Sequence, residues 1–202
     1  MRRGFKAAAD RHASDLRTAI GCTGYESIDL TRLARHLKVA VIAVDKILGS
    51  IDPLRVLHEE QPGAFSAATL ILPGRTVVVY NPLDLDGRYI SPSEAKEEGR
   101  TRSNIAHEFS HLVLGHDVRE VQKIAGHSFF TCNTEQETEA NWLAGCLLLP
   151  RPLLVKAAGR GDTDSNVARA NNVTEQMAAF RMNTSGARMQ AARGRAKHGS
   201  GR

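Results

Sequence analysis

One stretch limits this 202-residue chain more than any other: Ile105-Ala-His107-Glu108-Phe109-Ser-His111-Leu112-Val113-Leu-Gly115-His116. Two histidines four apart, with a glutamate after the first, point to a helix with a task. At 3.6 residues per turn His107 and His111 share a face, their Cβ atoms roughly 5–6 Å apart, so both imidazoles reach one metal ion. Glu108 is rotated about 100° around the axis, too far for a natural third ligand but placed to overhang the metal as a general base. Ile105, Phe109, Leu112 and Val113 make a separate apolar face, so the helix needs a core on one side and an open cleft on the other. Such a site directs a metal-activated water, its pKa lowered toward about 7, at a polarised carbonyl.

A catalytic metal of this kind needs a third protein ligand. The candidates lie in Glu135-Gln-Glu137-Thr-Glu139-Ala140-Asn141-Trp-Leu143-Ala144-Gly145-Cys146-Leu147-Leu148-Leu149-Pro150, which reads as a second helix with an acidic first turn, an apolar body and a terminating proline. Glu137 shares a stripe with Ala140, Asn141, Ala144, Leu147 and Leu148, and a carboxylate on an inward stripe is costly unless it meets a cation. Glu137 is therefore the leading candidate, while Glu135 and Glu139 read as solvated residues favouring the helix dipole, with Glu139 kept as the alternative ligand. Small residues at 140 and 144 let the two helices approach closely.

The two motifs together resemble the ImmA/IrrE family of metallo-endopeptidases, whose second motif runs Glu-x-x-Ala-Asn and ends on Leu-Leu-Met-Pro. The resemblance covers roughly residues 26 to 155. It implies that His107, His111 and Glu137 are the metal ligands, that Glu108 is the catalytic glutamate, and that Asn141, four residues after the third ligand, supports the metal shell. Departures are mild: Leu143 stands where phenylalanine is usual, Gly145 and Cys146 replace commoner residues, and Leu149 replaces methionine. Also implied are a zincin-like α+β fold, with a small antiparallel or mixed sheet packed on the two metal helices and helices at the C-terminal end, and Zn²⁺ as cofactor. Imidazole and carboxylate donors equally admit Mn²⁺ or Fe²⁺. The implied substrate is a helix-turn-helix repressor, cut site-specifically in a stress response or on induction of a mobile element.

Composition sets the remaining limits. A chain with 42% hydrophobic and 24% charged residues has the make-up of an ordinary globular protein. Its net charge of +5 is concentrated at the ends, with Arg2, Arg3 and Lys6 at one and Arg188, Arg193, Arg195, Lys197 and Arg202 at the other. These read as solvated tails. Cys22, Cys132 and Cys146 have no CxxC pairing, which argues against a disulfide framework or a sulfur-rich metal knuckle. No apolar stretch follows the basic start and no run approaches 18 apolar residues, so a cytoplasmic protein without a membrane segment is expected.

In chain order, the pattern predicts an N-terminal helix within residues 1–25, then a helix near Leu30 to Leu37 capped by Asp29 and a strand over Val39 to Val44. Gly63 to Leu72 and Arg75 to Asn81, around Pro73-Gly74, predict a hairpin whose edge strand offers backbone to an extended substrate. Asp84 to Gly99 is a polar loop with a short helix. Arg102 reads as a surface arginine, with a structural anchor or an electrophile as alternatives. His116, five residues after His111, reads as a capping or surface residue. His127, Tyr80 or Tyr89 is a candidate to stabilise an oxyanion. The expected domain organisation is a metallopeptidase domain over 26–158, a helical appendage over 159–185 with Thr174 as an N-cap, and a disordered basic tail over 186–202. The helix pair within 164–182 has helix-turn-helix spacing, but closing the core behind the metal helices satisfies the same pattern, and direct DNA contact is not expected. The competing function is a non-catalytic metal-binding regulator that contacts DNA or a protein partner through its basic ends.

Overall fold

The computed structural model describes residues 1–116, 120–124, 127–131 and 133–199, and side chains for 1–116 and 133–196. The elements in chain order are α1 (Phe5–Ala19), α2 (Leu30–His36), β1 (Val39–Ala43), α3 (Asp45–Leu48), α4 (Asp52–Glu60), β2 (Ala67–Leu72), β3 (Arg75–Tyr80), α5 (Gly99–Leu114), β4 (Glu120–Ile124), β5 (His127–Thr131), α6 (Thr134–Leu148), α7 (Arg151–Arg160), α8 (Asp164–Asn171), α9 (Glu175–Thr184) and α10 (Ala187–Gly199). This is the α+β arrangement that the sequence predicts.

The continuous apolar run Val77-Val78-Val79-Tyr80 marks a strand covered on both faces, and β3 is indeed central in the order β1-β3-β2. β1 runs parallel to β3, whereas β2 returns antiparallel to it across the Pro73-Gly74 turn. Alternation then divides the strand. Val78 and Tyr80 pack with Ile105, Ala106 and Phe109 of α5, while Val77 and Val79 pack with Leu54 of α4, Phe65 and Leu83. Thr69 pairs with Val78 and so shares the α5 side of the sheet.

α5 packs most extensively on α6, and fully buried Ala140 and Ala144 allow the close approach expected of small residues. α1 also packs on α6. Asp29 caps α2, accepting from the Thr31 and Arg32 amides at 2.8 and 3.1 Å, and Thr174 caps α9. Val167, Ala168, Val173, Ala178 and Met182 place α8 and α9 in the main core, so this helix pair closes the core behind α5 and α6.

Three differences from the sequence reading have physical causes. Arg102 is buried rather than on the surface. Its guanidinium donates to the carbonyls of Asn172, Lys96 and Ile28 at 2.9, 2.9 and 3.0 Å, joining the start of α5 to two distant loops. The segment beyond Ser185, expected to be disordered, is helical in α10. It seats Ala187 and Ala191 in the core against α7, and Arg195 donates to the Ala158 carbonyl at 3.0 Å. Between α5 and α6 lies the antiparallel β4–β5 pair, a segment to which the sequence reading assigned no element. Cys132 lies outside the described residues and the His127 side chain outside the described side chains, so their expected roles fall there too. No single helix among the described residues is long and apolar enough to cross a membrane.

Candidate metal centre

α5 begins at a firm cap, with Glu98 accepting from the Arg100 amide at 2.9 Å, and its apolar stripe of Ile105, Ala106 and Phe109 fixes its rotation against the core. That rotation leaves His107 and His111 on the side facing α6, partly covered. α6 begins with a capping box in which Asn133 accepts from the Gln136 amide at 2.9 Å and Gln136 accepts from the Asn133 amide at 3.2 Å. The box fixes the first turn, and Glu137 then projects toward α5.

The three side chains converge. His107 Nε2 lies 2.9 Å from His111 Nε2, and the Glu137 carboxylate spans both rings, with Oε2 at 3.1 Å from His107 and Oε1 at 3.4 Å from His111. One donor atom from each of the three lies within 4.8 Å of the others. A tetrahedral ion with ligands at about 2.0–2.1 Å requires ligand atoms about 3.3 Å apart, so these separations suit a metal with small movements. Donor chemistry agrees. Two imidazole nitrogens facing each other repel through their lone pairs unless a proton or a cation lies between them. The remaining ring nitrogens are engaged elsewhere, His107 Nδ1 at 3.0 Å from Asn141 Oδ1 and His111 Nδ1 at 3.0 Å from His116 Nδ1.

The electrostatics follow from this crowding. Hydrogen bonds from His107 and His111 hold Glu137 far below the usual carboxylate range. Burial lowers His107, but its hydrogen bond to Glu137 and the charges of Glu108 and Glu137 outweigh burial, and the net shift is upward. Glu108 sits over the sheet side of the site, where the Thr69 hydroxyl of β2 donates to Oε2 at 2.7 Å. β2 pairs only with β3, so its other edge is open among the described residues. A cavity of about 210 Å³ continues alongside, lined by Ser66 before β2 and by Asn104 and Arg100, one and two turns ahead of Glu108 on α5.

Thus the structure brings together four residues singled out from the sequence, His107, His111, Glu137 and Asn141, with Glu108 beside them. Glu139, the alternative third ligand, points elsewhere. It is buried and binds Arg2, whose Nη2, Nε and backbone amide donate to it at 3.1, 3.4 and 3.3 Å. Burial would raise its pKa, yet the bonds from Arg2 bring it below the usual range. Glu135 is exposed as expected, and pairs with the N-terminal amine at 2.7 Å. His116 is not a surface residue, since only 3% of its side chain is exposed. Burial first, then the neighbouring His111 ring, lowers it below the ordinary histidine value. Tyr89 donates to Asp45 at 3.4 Å and Tyr80 is buried in β3. Thr69, Arg2 and the inward turn of His116 carry no signal in the sequence beyond their position.

Comparison with known proteins gives one finding. The family model described as the IrrE N-terminal-like domain, a peptidase family, matches residues 74–183, more than half of the 202-residue chain. No curated protein and no solved structure matches. The matched range includes β3, α5 and α6, and with them every donor of the three-residue cluster. On the extent of that match, the chain belongs to the IrrE N-terminal-like domain family of peptidases.

Proposed function

We propose that this protein is a zinc-dependent endopeptidase in which His107, His111 and Glu137 hold the metal and Glu108 is the general base. The observation that carries the reading is the meeting of three donors from two helices at one point, with the Glu108 carboxylate tethered next to them by the edge strand. Two neutral nitrogen donors and one carboxylate form the donor set that leaves a zinc ion free to accept a further ligand. When bound, zinc polarises the scissile carbonyl and makes water more acidic.

The chain's own residues do the rest. A peptide in extended form adds to the open edge of β2, main chain to main chain, with its carbonyl carried toward the histidine pair. Thr69 holds Glu108 through Oε2. A carboxylate oxygen of Glu108 takes the proton from the attacking water and passes it to the amide nitrogen that leaves. Asn141 keeps the His107 ring in orientation by accepting from Nδ1.

The resemblance read from the two motifs supports a helix-turn-helix repressor as substrate and, with it, a role in transcriptional control of a stress response or mobile element. Incubation with the helix-turn-helix regulator encoded nearest to this gene, followed by mass spectrometry of the fragments, tests this. One defined cut is expected from the wild type. Glu108→Gln is expected to retain the metal and lose cleavage by about 10²–10⁴-fold, the usual contribution of a general base. A Glu108→Gln protein that cleaves at the wild-type rate refutes the catalytic assignment, and the non-catalytic regulator then becomes the better reading.

A further inference from the structure

α5 ends where Gly115 takes a left-handed conformation, φ 60° and ψ 39°, and the His116 amide then returns to the His111 carbonyl at 3.0 Å. This 6→1 closure is a Schellman turn, and an L side chain at 115 would be strained in it. Its consequence is that His116, five residues beyond His111 and off the metal stripe of a continued helix, folds back beneath the His111 ring. The rings meet at 5.0 Å between centroids, Nδ1 to Nδ1 at 3.0 Å.

We propose that His116, backed by Glu139 and Arg2, is a positioning residue for the metal centre that fixes the tautomer and orientation of His111. The inference rests on the metal-ligand reading above. If His111 offers its Nε2 lone pair toward Glu137 and the metal, its proton is on Nδ1 and must be donated to His116 Nδ1, which then has to be an acceptor. The His116 proton is therefore on Nε2, a buried nitrogen that has no hydrogen-bond partner and faces the Glu139 carboxylate at 3.5 Å. Glu139, only 2% exposed, would be an expensive buried charge by itself, and Arg2 compensates it with three donors from the first turn of the chain. The protons point in one direction, from His111 to His116 and on toward the Glu139 carboxylate, with Arg2 closing the far end. His107 is served by the neutral Asn141 oxygen, and His111 by this longer, charge-terminated chain, so the two ligands are unequally supported.

The test compares zinc affinity, by chelator competition, of full-length wild type, His116→Ala, His116→Asn and Arg2→Ala. It adds the visible spectrum of each cobalt-loaded protein and the melting temperature of each metal-free protein. His116→Ala is expected to weaken zinc by roughly 10–100-fold, the usual effect of losing a partner behind a metal-bound histidine, and to alter the cobalt spectrum. Asn places an acceptor oxygen at the δ position that His116 Nδ1 occupies, so His116→Asn is expected to recover most of the affinity and the spectrum. Arg2→Ala removes two of the three donors that compensate buried Glu139, so it is expected to lower the metal-free melting temperature and to weaken zinc a few-fold. Wild-type zinc affinity in both His116→Ala and Arg2→Ala overturns the proposal. So does an Asn variant as weak as the Ala variant, with equally lowered metal-free melting temperatures, because His116 would then be a packing residue only. A wild type that binds no zinc is a separate result, and overturns the metal reading itself.

Discussion

His107 is under opposing forces that make metal binding depend on pH. In the metal-free protein burial lowers its proton affinity, whereas Glu137 and Glu108 raise it further, to a value above the ordinary 6.5. Glu137 moves the other way, pulled down by both histidines. A histidine raised on folding contributes stability fully below its unfolded value and loses it as pH rises through the folded value. A lowered carboxylate contributes above its unfolded value and loses it as pH falls through the folded one. The ion pair therefore stabilises the metal-free protein most between about pH 4.3 and 6.5. Zinc must displace the His107 proton, so zinc affinity is expected to fall as pH is lowered through the raised His107 value, with proton release on binding. Calorimetric titration in buffers of different ionisation enthalpy reads that proton, and affinity independent of pH between about 6 and 8 contradicts the assignment. At this scale the facing of His107 and His111 was legible because a four-residue spacing on a helix has one geometric meaning. Glu139 was misread because its partner, Arg2, is remote in sequence, and the surface reading of His116 failed because the turn at Gly115 folds its ring back against His111.

The elements were legible where a local rule dominated. Asp29 and Thr174 are caps, the Pro73-Gly74 hairpin forms, and α5 and α6 lie close to their expected bounds. Arg102 was not legible, because nothing local distinguishes an arginine that serves four loop acceptors from one in water. The junction it makes is tight. A Cβ added at Gly99, the first residue of α5, would lie 2.7 Å from the Val173 carbonyl carbon and 3.0 Å from its oxygen, both backbone atoms between α8 and α9. Arg102 pins the same turn through the Asn172 carbonyl at 2.9 Å, so the neighbour cannot withdraw freely. Gly99→Ala is accordingly expected to destabilise by about 1–3 kcal/mol, the cost of overpacking, despite the better helix propensity of alanine. Thermal or denaturant unfolding measures it, and an unchanged or raised stability refutes the close packing.

Across the whole molecule, buried arginines connect segments far apart in the chain. Arg17 of α1 donates to the Leu147 carbonyl at 2.6 Å near the end of α6, and Arg181 of α9 reaches Leu149 and Asp10, each at 3.3 Å. The basic ends are part of this scaffold: Arg2 closes over α6 and Arg195 over α7. Composition read both ends as solvated because arginine and glycine content reports average behaviour, whereas Ala187 and Ala191 give α10 a small apolar stripe that packs on α7 and α9. Deleting residues 186–202 is expected to cost on the order of 2 kcal/mol by uncovering that contact, and an unaltered unfolding midpoint is the result that would restore the disordered tail. The central claim is that two helices are held so that His107, His111 and Glu137 share one ion. Its most direct test is zinc per chain by elemental mass spectrometry after dialysis, for wild type beside Glu137→Gln. The expected result is one equivalent in the wild type and a large loss in the variant, and equal zinc in the two would contradict it.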